Sequence, residues 1–499
     1  TYTRFVSKMG VDASKNGLGE VWFRISASKD GTNWDELYKS NPVTSKDNAL
    51  DVDLNIKDYK YLRLYADKNG SNAVDHAVYA DSRIVKENYD LSSELFDDIK
   101  KVSYYDEILS KNTVEEKKPA QTKAEKSVKV FYGNSDEVTP VGVYDYNDFS
   151  VQTKREQKMP GFDPKYRDFV DYIMRITHEI WEEKGIGVIY DTYHNNITMH
   201  CGSSNLVGIK DVISNTLQTL HAFPDRRLIG QNVIWSDYGA EGFLSSHRIL
   251  STATNLGDSN FGPATGKKIN FRTTVDCATT NNRIHEEWLV RDNLWIVTQL
   301  GIDPHELAKK MAKAAAAKTP KLQTSYGLCE SMEGQYMPEM YQAKDNSVGE
   351  MILEMASHVY SYKYINEVKK YYHDNAVVHF ICDKDLNGYD EIQGMIVSLL
   401  ASVPNGSFEV ERVTCNKRVG ENGYDVAMRW RLRGVNEGIG FFGQPSGKPV
   451  EIMGINHLTV INGKIKEEWV TFDGLDVLRQ MYMGMLQSWN GKYHQSKCP

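Results

Sequence analysis

The amino-acid sequence predicts an α+β protein, in which an all-β segment is followed by one α+β domain written twice. Three observations predict it. A hairpin-like stretch occurs at two places in the chain, a helical periodicity precedes it each time, and the chain up to about residue 90 alternates apolar and polar positions in short runs.

The repeated stretch is GKKINFRTTVDCATTNNRIHEEWLVRD (266–292) and GKPVEIMGINHLTVINGKIKEEWVTFD (447–473). Gly266/Gly447, Glu286/Glu467, Glu287/Glu468, Trp288/Trp469 and Asp292/Asp473 stand 181 positions apart. Each copy reads as two strands folded back on a two-residue turn, Asn281-Asn282 or Asn462-Gly463, residue types that tolerate the left-handed backbone such a turn requires. Upstream, Gly242, Arg248 and Gly262 match Gly423, Arg429 and Gly443 at the same offset. Pro224 matches Pro404 at 180, and YHNNITMH (193–200) matches YHDNAVVH (372–379) at 179, so single-residue insertions account for the drift. A copy of roughly 140 residues is too long for a solenoid unit and suits a domain with its own core.

Residues 1–92 carry the runs VWFRISAS, LDVDLNI and YLRLYAD between DGTN, SKDN and KNGSN turns, the pattern of short strands. FVSKMGVDA, VWFRISASKDG, YLRLYAD and AVDHAVYADSRI, in that order, resemble the NPCBM-type carbohydrate-binding module. The resemblance implies a glycan-binding β-sandwich whose first strands precede Thr1, so a partial module is expected. From residue 93 to 158 the expectation is a linker and an irregular segment. LSSELFDDIKKVSYYDEIL reads as one amphipathic helix, and TVEEKKPAQTKAEKS has too few large apolar residues to form a core.

The two copies are placed at 159–320 and 345–485. Tyr166, Phe169, Val170, Ile173, Ile176 and Ile180 fall at helical spacing before Gly185 and predict an amphipathic helix that covers a sheet. A short helix near Asp191–Asn195, a strand at Ile197–Cys201, a helix after Gly208 and long strands ending in the hairpin follow. Asp303 is placed to cap HELAKKMAKAAAAK, a solvated helix by composition.

With their Gly-x-x-x-Gly-Lys start, Ile-x-Glu-x-Trp strand and final Asp, the copies resemble the SnoaL-like polyketide cyclases of the nuclear transport factor 2-like superfamily. That resemblance implies two cone-shaped α+β barrels and an acid/base or hydrogen-bonding group on the cone wall where Asp276 and His457 stand. Two-residue turns would oppose Asp276 to Glu287 and His457 to Glu468. A carboxylate so placed is pushed to a higher pKa, and a histidine beside a glutamate is oriented as a base. The expected catalytic residues are therefore Asp276, Glu287, His457 and Glu468. The expected substrate-binding residues are His200, Trp288, His379 and Trp469, the histidines lining the mouth.

Simple alternation gives a competing reading. It gathers Ile269, Phe271, Val275, Cys277, Ile284 and Trp288, and likewise Val450, Ile452, Leu458, Val460, Ile465 and Trp469, on one apolar face with Glu286 and Glu467, and leaves Asp276 and Glu287 solvated or facing a dimer partner. Arg248 and Arg429 read as sheet-surface charges. Asp276 becomes His457 and His247 becomes Met428 between copies, so the two cones do not share one chemistry.

A net charge of −8 and the lack of a basic run with interleaved aromatics argue against a nucleic-acid partner, and no apolar run reaches membrane-spanning length. The six cysteines show no CxxC spacing, and no metal, nucleotide or other cofactor motif is present. Two functions stay open. One is cofactor-free acid/base chemistry on a small carbonyl-containing molecule, as in polyketide ester cyclisation; the other is a non-catalytic glycan-binding or assembly protein. In either, the barrels are expected to pair with each other or in a homodimer. An extracellular location follows if the glycan module is native to the chain, and a cytoplasmic one otherwise.

Overall fold

The computed structural model describes residues 2–11, 20–44, 46–68, 77–86, 128, 130–142, 144–202, 204–239, 242–318 and 339–490. The chain divides into two compact units, residues 1–123 and 124–499.

In the first unit the alternating runs become strands: β1 (Tyr2–Val11), β2 (Glu20–Ser28), β3 (Asp35–Lys39), β4 (Val43–Thr44), β5 (Leu50–Asn55), β6 (Tyr61–Lys68) and β7 (Ala77–Lys86). β5, β1 and β7 make one sheet, and β2 pairs with β3, β4 and β6 in another. Alternate side chains of both sheets, among them Phe5, Met9, Phe23 and Ile25, meet in one apolar core. The helix expected in LSSELFDDIKKVSYYDEIL and the linker after it lie outside the described residues.

The second unit holds two lobes. The first contains α1 (Phe169–Trp181), α2 (Val188–Thr192), β10 (Tyr193–Cys201), β11 (Ser204–Val207), α3 (Ile209–Ala222), β12 (Arg227–Asp237), β13 (Phe243–Thr254), β14 (Lys268–Thr280), β15 (Arg283–Arg291), α4 (Asn293–Leu300) and α5 (Pro304–Lys318). The second contains α6 (Val348–Met355), α7 (Val368–Tyr371), β16 (Tyr372–Phe380), β17 (Lys384–Asn387), α8 (Gly388–Ser402), β18 (Ser407–Lys417), β19 (Gly423–Asn436), β20 (Lys448–Ile461), β21 (Lys464–Phe472) and α9 (Gly474–Asn490). Ahead of both lie β8 (Val130–Gly133) and β9 (Tyr144–Asp145). The sheets run β11-β10-β15-β14-β13-β12-β9 and β17-β16-β21-β20-β19-β18-β8, the same order strand for strand.

Local chemistry explains the elements. Asp168 starts α1 by accepting the Asp171 N–H at 2.8 Å, and Phe169, Val170, Ile173, Ile176 and Ile180 bury against Trp235, Phe243, Cys277 and Ile284 of the sheet. Asn281, Asn282, Asn462 and Gly463 all adopt positive φ, as the hairpin turns require. Asp303 caps α5 through the N–H groups of His305 and Glu306. That helix is not wholly solvated: Leu307, Ala308 and Ala312 are buried, and α5 packs along α9.

The segment before the first lobe, unreadable in sequence, supplies an edge to each sheet. β8 lies parallel to β18 of the second lobe, and β9 lies antiparallel to β12 of the first. Both outer strands are thereby covered.

Candidate active site

A β-bulge decides which hairpin residues face the interior. In β15, Ala278 pairs with Glu286 but Thr279 pairs with Ile284, so His285 is an extra residue; in β21, Lys466 is extra in the same way. Ile284 and Glu287 thus share one face, and Glu286 and Trp288 share the other. The opposition expected of Asp276 with Glu287 and of His457 with Glu468 is therefore corrected: Asp276 pairs with Trp288, Cys277 with Glu287, His457 with Trp469 and Leu458 with Glu468.

Asp276 and His457 are both buried, but on the back of their sheets, where the two lobes meet, and not on a cone wall. Arg429 of the second lobe donates to Asp276 at 2.9 Å and to Glu411 at 2.8 Å while its guanidinium lies 3.6 Å from the centre of the Trp288 ring. Arg248 of the first lobe lies 3.5 Å from the centre of Trp469, and His457 Nε2 meets the Ser246 hydroxyl at 2.8 Å. Neither arginine is a surface charge. His200 stacks on Trp288 at 5.2 Å and contacts Glu286 at 2.9 Å; His379 stacks on Trp469 at 5.1 Å and contacts Glu467 at 2.9 Å. The four residues expected to bind substrate instead form two matching stacks on the back of the sheets. Trp288 and Trp469 also leave the apolar face assigned by alternation, because the bulge turns them over.

Glu287 points the other way, into a cavity of about 60 Å3 inside the first lobe. Tyr193 donates to its carboxylate at 3.0 Å, and burial pushes Glu287 up to about 7 against that hydrogen bond. Arg226, His247, Thr273 and Arg291 share this lining, and Asn215, Leu289 and Arg291 also line a neighbouring vestibule of about 590 Å3. Arg226 Nη1, His247 Nε2, Thr273 Oγ1 and Arg291 Nε are buried without a hydrogen-bond partner. Burial lowers His247 to about 3, so it is neutral at ordinary pH. Among the described residues no group of three or more His, Cys, Asp or Glu is arranged to hold a metal ion.

The second lobe keeps the glutamate and the tyrosine but closes the cone. Tyr372 donates to Glu468 at 2.6 Å, Asn456 donates to it at 2.6 Å, and Trp430 Nε1 donates to Asn456 at 2.8 Å. Trp430 fits because residue 454 is glycine: a Cβ there would lie 2.1 Å from the indole. The remaining cavity is about 20 Å3. Burial again pushes the carboxyl, Glu468, up to about 7.

Residues 350–481 match the family model of SnoaL-like polyketide cyclases, and residues 1–85 match that of the NPCBM/NEW2 domain. The second lobe is a SnoaL-like domain. Among solved structures, a protein from Jannaschia sp. CCS1, provisionally assigned as a SnoaL-like polyketide cyclase, is 18% identical over 28% of this chain and 94% of its own, with a TM-score of 0.25. One from Acidithiobacillus ferrooxidans, provisionally assigned as a polyketide cyclase, is 21% identical over 26% and 92%, with a TM-score of 0.23. A SnoaL-like polyketide cyclase from Agrobacterium tumefaciens is 16% identical over 26% and 96%, with a TM-score of 0.23. No curated protein matches the chain.

The open cavity thus lies in the lobe that precedes the matched SnoaL-like domain. Four of its lining residues, Arg226, His247, Thr273 and Arg291, went unselected as site residues in the sequence. The signal that finds them is the difference between copies: the matching positions in the SnoaL-like domain are Gly406, Met428, Gly454 and Phe472.

Two expectations follow. Asp276→Asn removes the charge that balances buried Arg429 and the neighbouring buried Arg412 of β18, whose Nη1 lies 3.7 Å from the Asp276 carboxylate, so it should cost about 3–5 kcal/mol in denaturant unfolding; an unchanged midpoint would contradict the placement. Glu468 binds its proton more tightly folded than unfolded, so the native state holds more protons between pH 4.5 and about 7, and stability falls as pH rises through that window. Glu468→Gln should match the wild type near pH 5 and be more stable at pH 8, by up to on the order of 3 kcal/mol.

Proposed function

We propose that residues 159–320 form a barrel of the same kind as the SnoaL-like domain, and that its cone is an acid/base site for a small carbonyl-containing molecule. The observation that carries this reading is Glu287: a buried carboxyl, raised to about 7, in a cavity that shares three lining residues with a vestibule large enough for a small molecule. The ionised carboxylate removes a proton from the carbon beside the carbonyl. The electron pair moves to the carbonyl oxygen, giving an enolate that attacks a second carbonyl, as in polyketide ester ring closure, and the protonated Glu287 returns its proton afterwards. Tyr193, hydrogen-bonded to the carboxylate, fixes its orientation. The scheme requires no cofactor.

The SnoaL-like domain then serves as the structural partner of the first lobe. Its filled cone supports this division, and it also favours the second reading, an assembly or glycan-binding protein, for that half of the chain. A glycan is the partner proposed for residues 1–85, on the strength of their NPCBM match.

Deuterium exchange into 2-oxo and 3-oxo compounds, followed by NMR, tests the proposal. The wild-type rate should rise with pH through about 7, as Glu287 ionises. Glu287→Gln should lower it by roughly 10²–10⁴. Equal rates in the variant and the wild type would overturn the assignment.

A further inference from the structure

Two arginines line the first-lobe cavity, Arg226 buried and Arg291 partly buried, and the carboxylates that offset their charge, Glu182 and Asp473, do so only at a distance. Arg226 is 5% exposed, donates from Nε and Nη2 to Ser251 at 3.1 and 3.0 Å, and leaves Nη1 unpartnered. Arg291 leaves Nε unpartnered. Among the described residues neither takes part in a salt bridge. Both guanidinium groups lie by the same ring, 5.2 and 5.7 Å from the centre of Phe271, and Arg226 also lies 4.6 Å from the centre of Trp181. Burial holds both below the usual arginine range, and for Arg226 the nearby Arg291 adds to it; Glu182 near Arg226 and Asp473 near Arg291 offset this only in part. Buried charges are normally paired, because desolvation without a partner costs several kcal/mol per ion.

We propose that this pair of arginines holds the anionic head of the ligand, a carboxylate, with the ligand's body lying in the vestibule. The inner cavity, about 60 Å3, has room for a few waters, enough for a carboxylate head and too little for a whole ligand. A planar carboxylate also fits the guanidinium fork with two parallel hydrogen bonds. The vestibule's own carboxylates, Asp258 and Asp473, do not line the inner cavity; Asp473 acts on Arg291 through space, without a salt bridge, and accepts a hydrogen bond from Asn293. In the SnoaL-like domain the same positions are Gly406 and Phe472, and the cone is closed. The arginines therefore go with the opening and not with the fold.

The inference rests on the first-lobe cone being a ligand site, and it separates from the role of Glu287. Isothermal titration calorimetry of the full chain with phenylacetate, phenylacetamide and inorganic phosphate tests it. Phenylacetate should bind saturably, and phenylacetamide, the same shape without the charge, should bind at least about tenfold more weakly, as phosphate should. Arg226→Met and Arg291→Met should each weaken phenylacetate by about tenfold or more, with Arg226→Lys between. Glu287→Gln, which removes a carboxylate from the same cavity, should bind phenylacetate at least as tightly as the wild type above pH 7 while losing proton exchange. If exchange persists in that variant, the base assignment fails and the anion site stands. No phenylacetate binding, equal binding of acid and amide, or preference for phosphate in the wild type would overturn the anion site without recourse to any variant. Unchanged binding in folded arginine variants would overturn it too.

Discussion

The two guanidinium–indole stacks between the lobes, Arg429 on Trp288 and Arg248 on Trp469, set the arrangement of everything else in the second unit. A stack of this kind, removed from water, is worth about 2 kcal/mol, but its larger effect is geometric. It requires each tryptophan to point out of the back of its sheet while Ile284 and Ile465, a few residues earlier, point into the core. A regular strand cannot meet both demands, since four residues of separation would put both side chains on one face. The extra residues His285 and Lys466 meet them, and as a result Glu287 and Glu468 are turned inward. The buried carboxylates inside the two lobes and the charged contact between them are thus two outcomes of one backbone irregularity.

The lobes then use their interiors differently. Trp430, Asn456 and Glu468 form a closed chain of hydrogen bonds over Gly454, and little space remains. In the first lobe the corresponding positions carry Ile249, Val275, Glu287 and Thr273, and the volume that an indole would occupy is left as cavity, rimmed by arginines. Interiors are close-packed by default, so an opening lined with unpartnered polar atoms marks a departure from what folding alone favours.

The element order was legible because it rests on local signals: the helical spacing of Phe169 to Ile180, the Asn-rich turns, the Asp303 cap and the repetition at 181. The faces of the hairpins were not. A bulge adds one residue without changing composition, and IHEEW alternates plausibly in either register. Arg248 and Arg429 read as surface residues because charge normally means solvent, and nothing local announces that two sheet backs will bury them against each other. The cone residues were half legible. His247 facing Met428 was visible as a difference between copies, and extending that comparison to Arg291 and Phe472 leads to the open site.

The short strands β8 and β9 have a consequence for how the chain can be divided. They are separated by ten residues, 134–143, yet β8 completes the sheet of the later lobe and β9 that of the earlier one. The boundary between the lobes in space is therefore not a boundary in sequence. A cut between α5 and α6 would release a C-terminal fragment missing its outermost strand, and an N-terminal fragment carrying that strand as an orphan. The shortest piece that contains the later lobe with its whole sheet begins before the earlier lobe and includes all of it, so neither lobe can be cut out of the chain with its sheet intact and the other left whole.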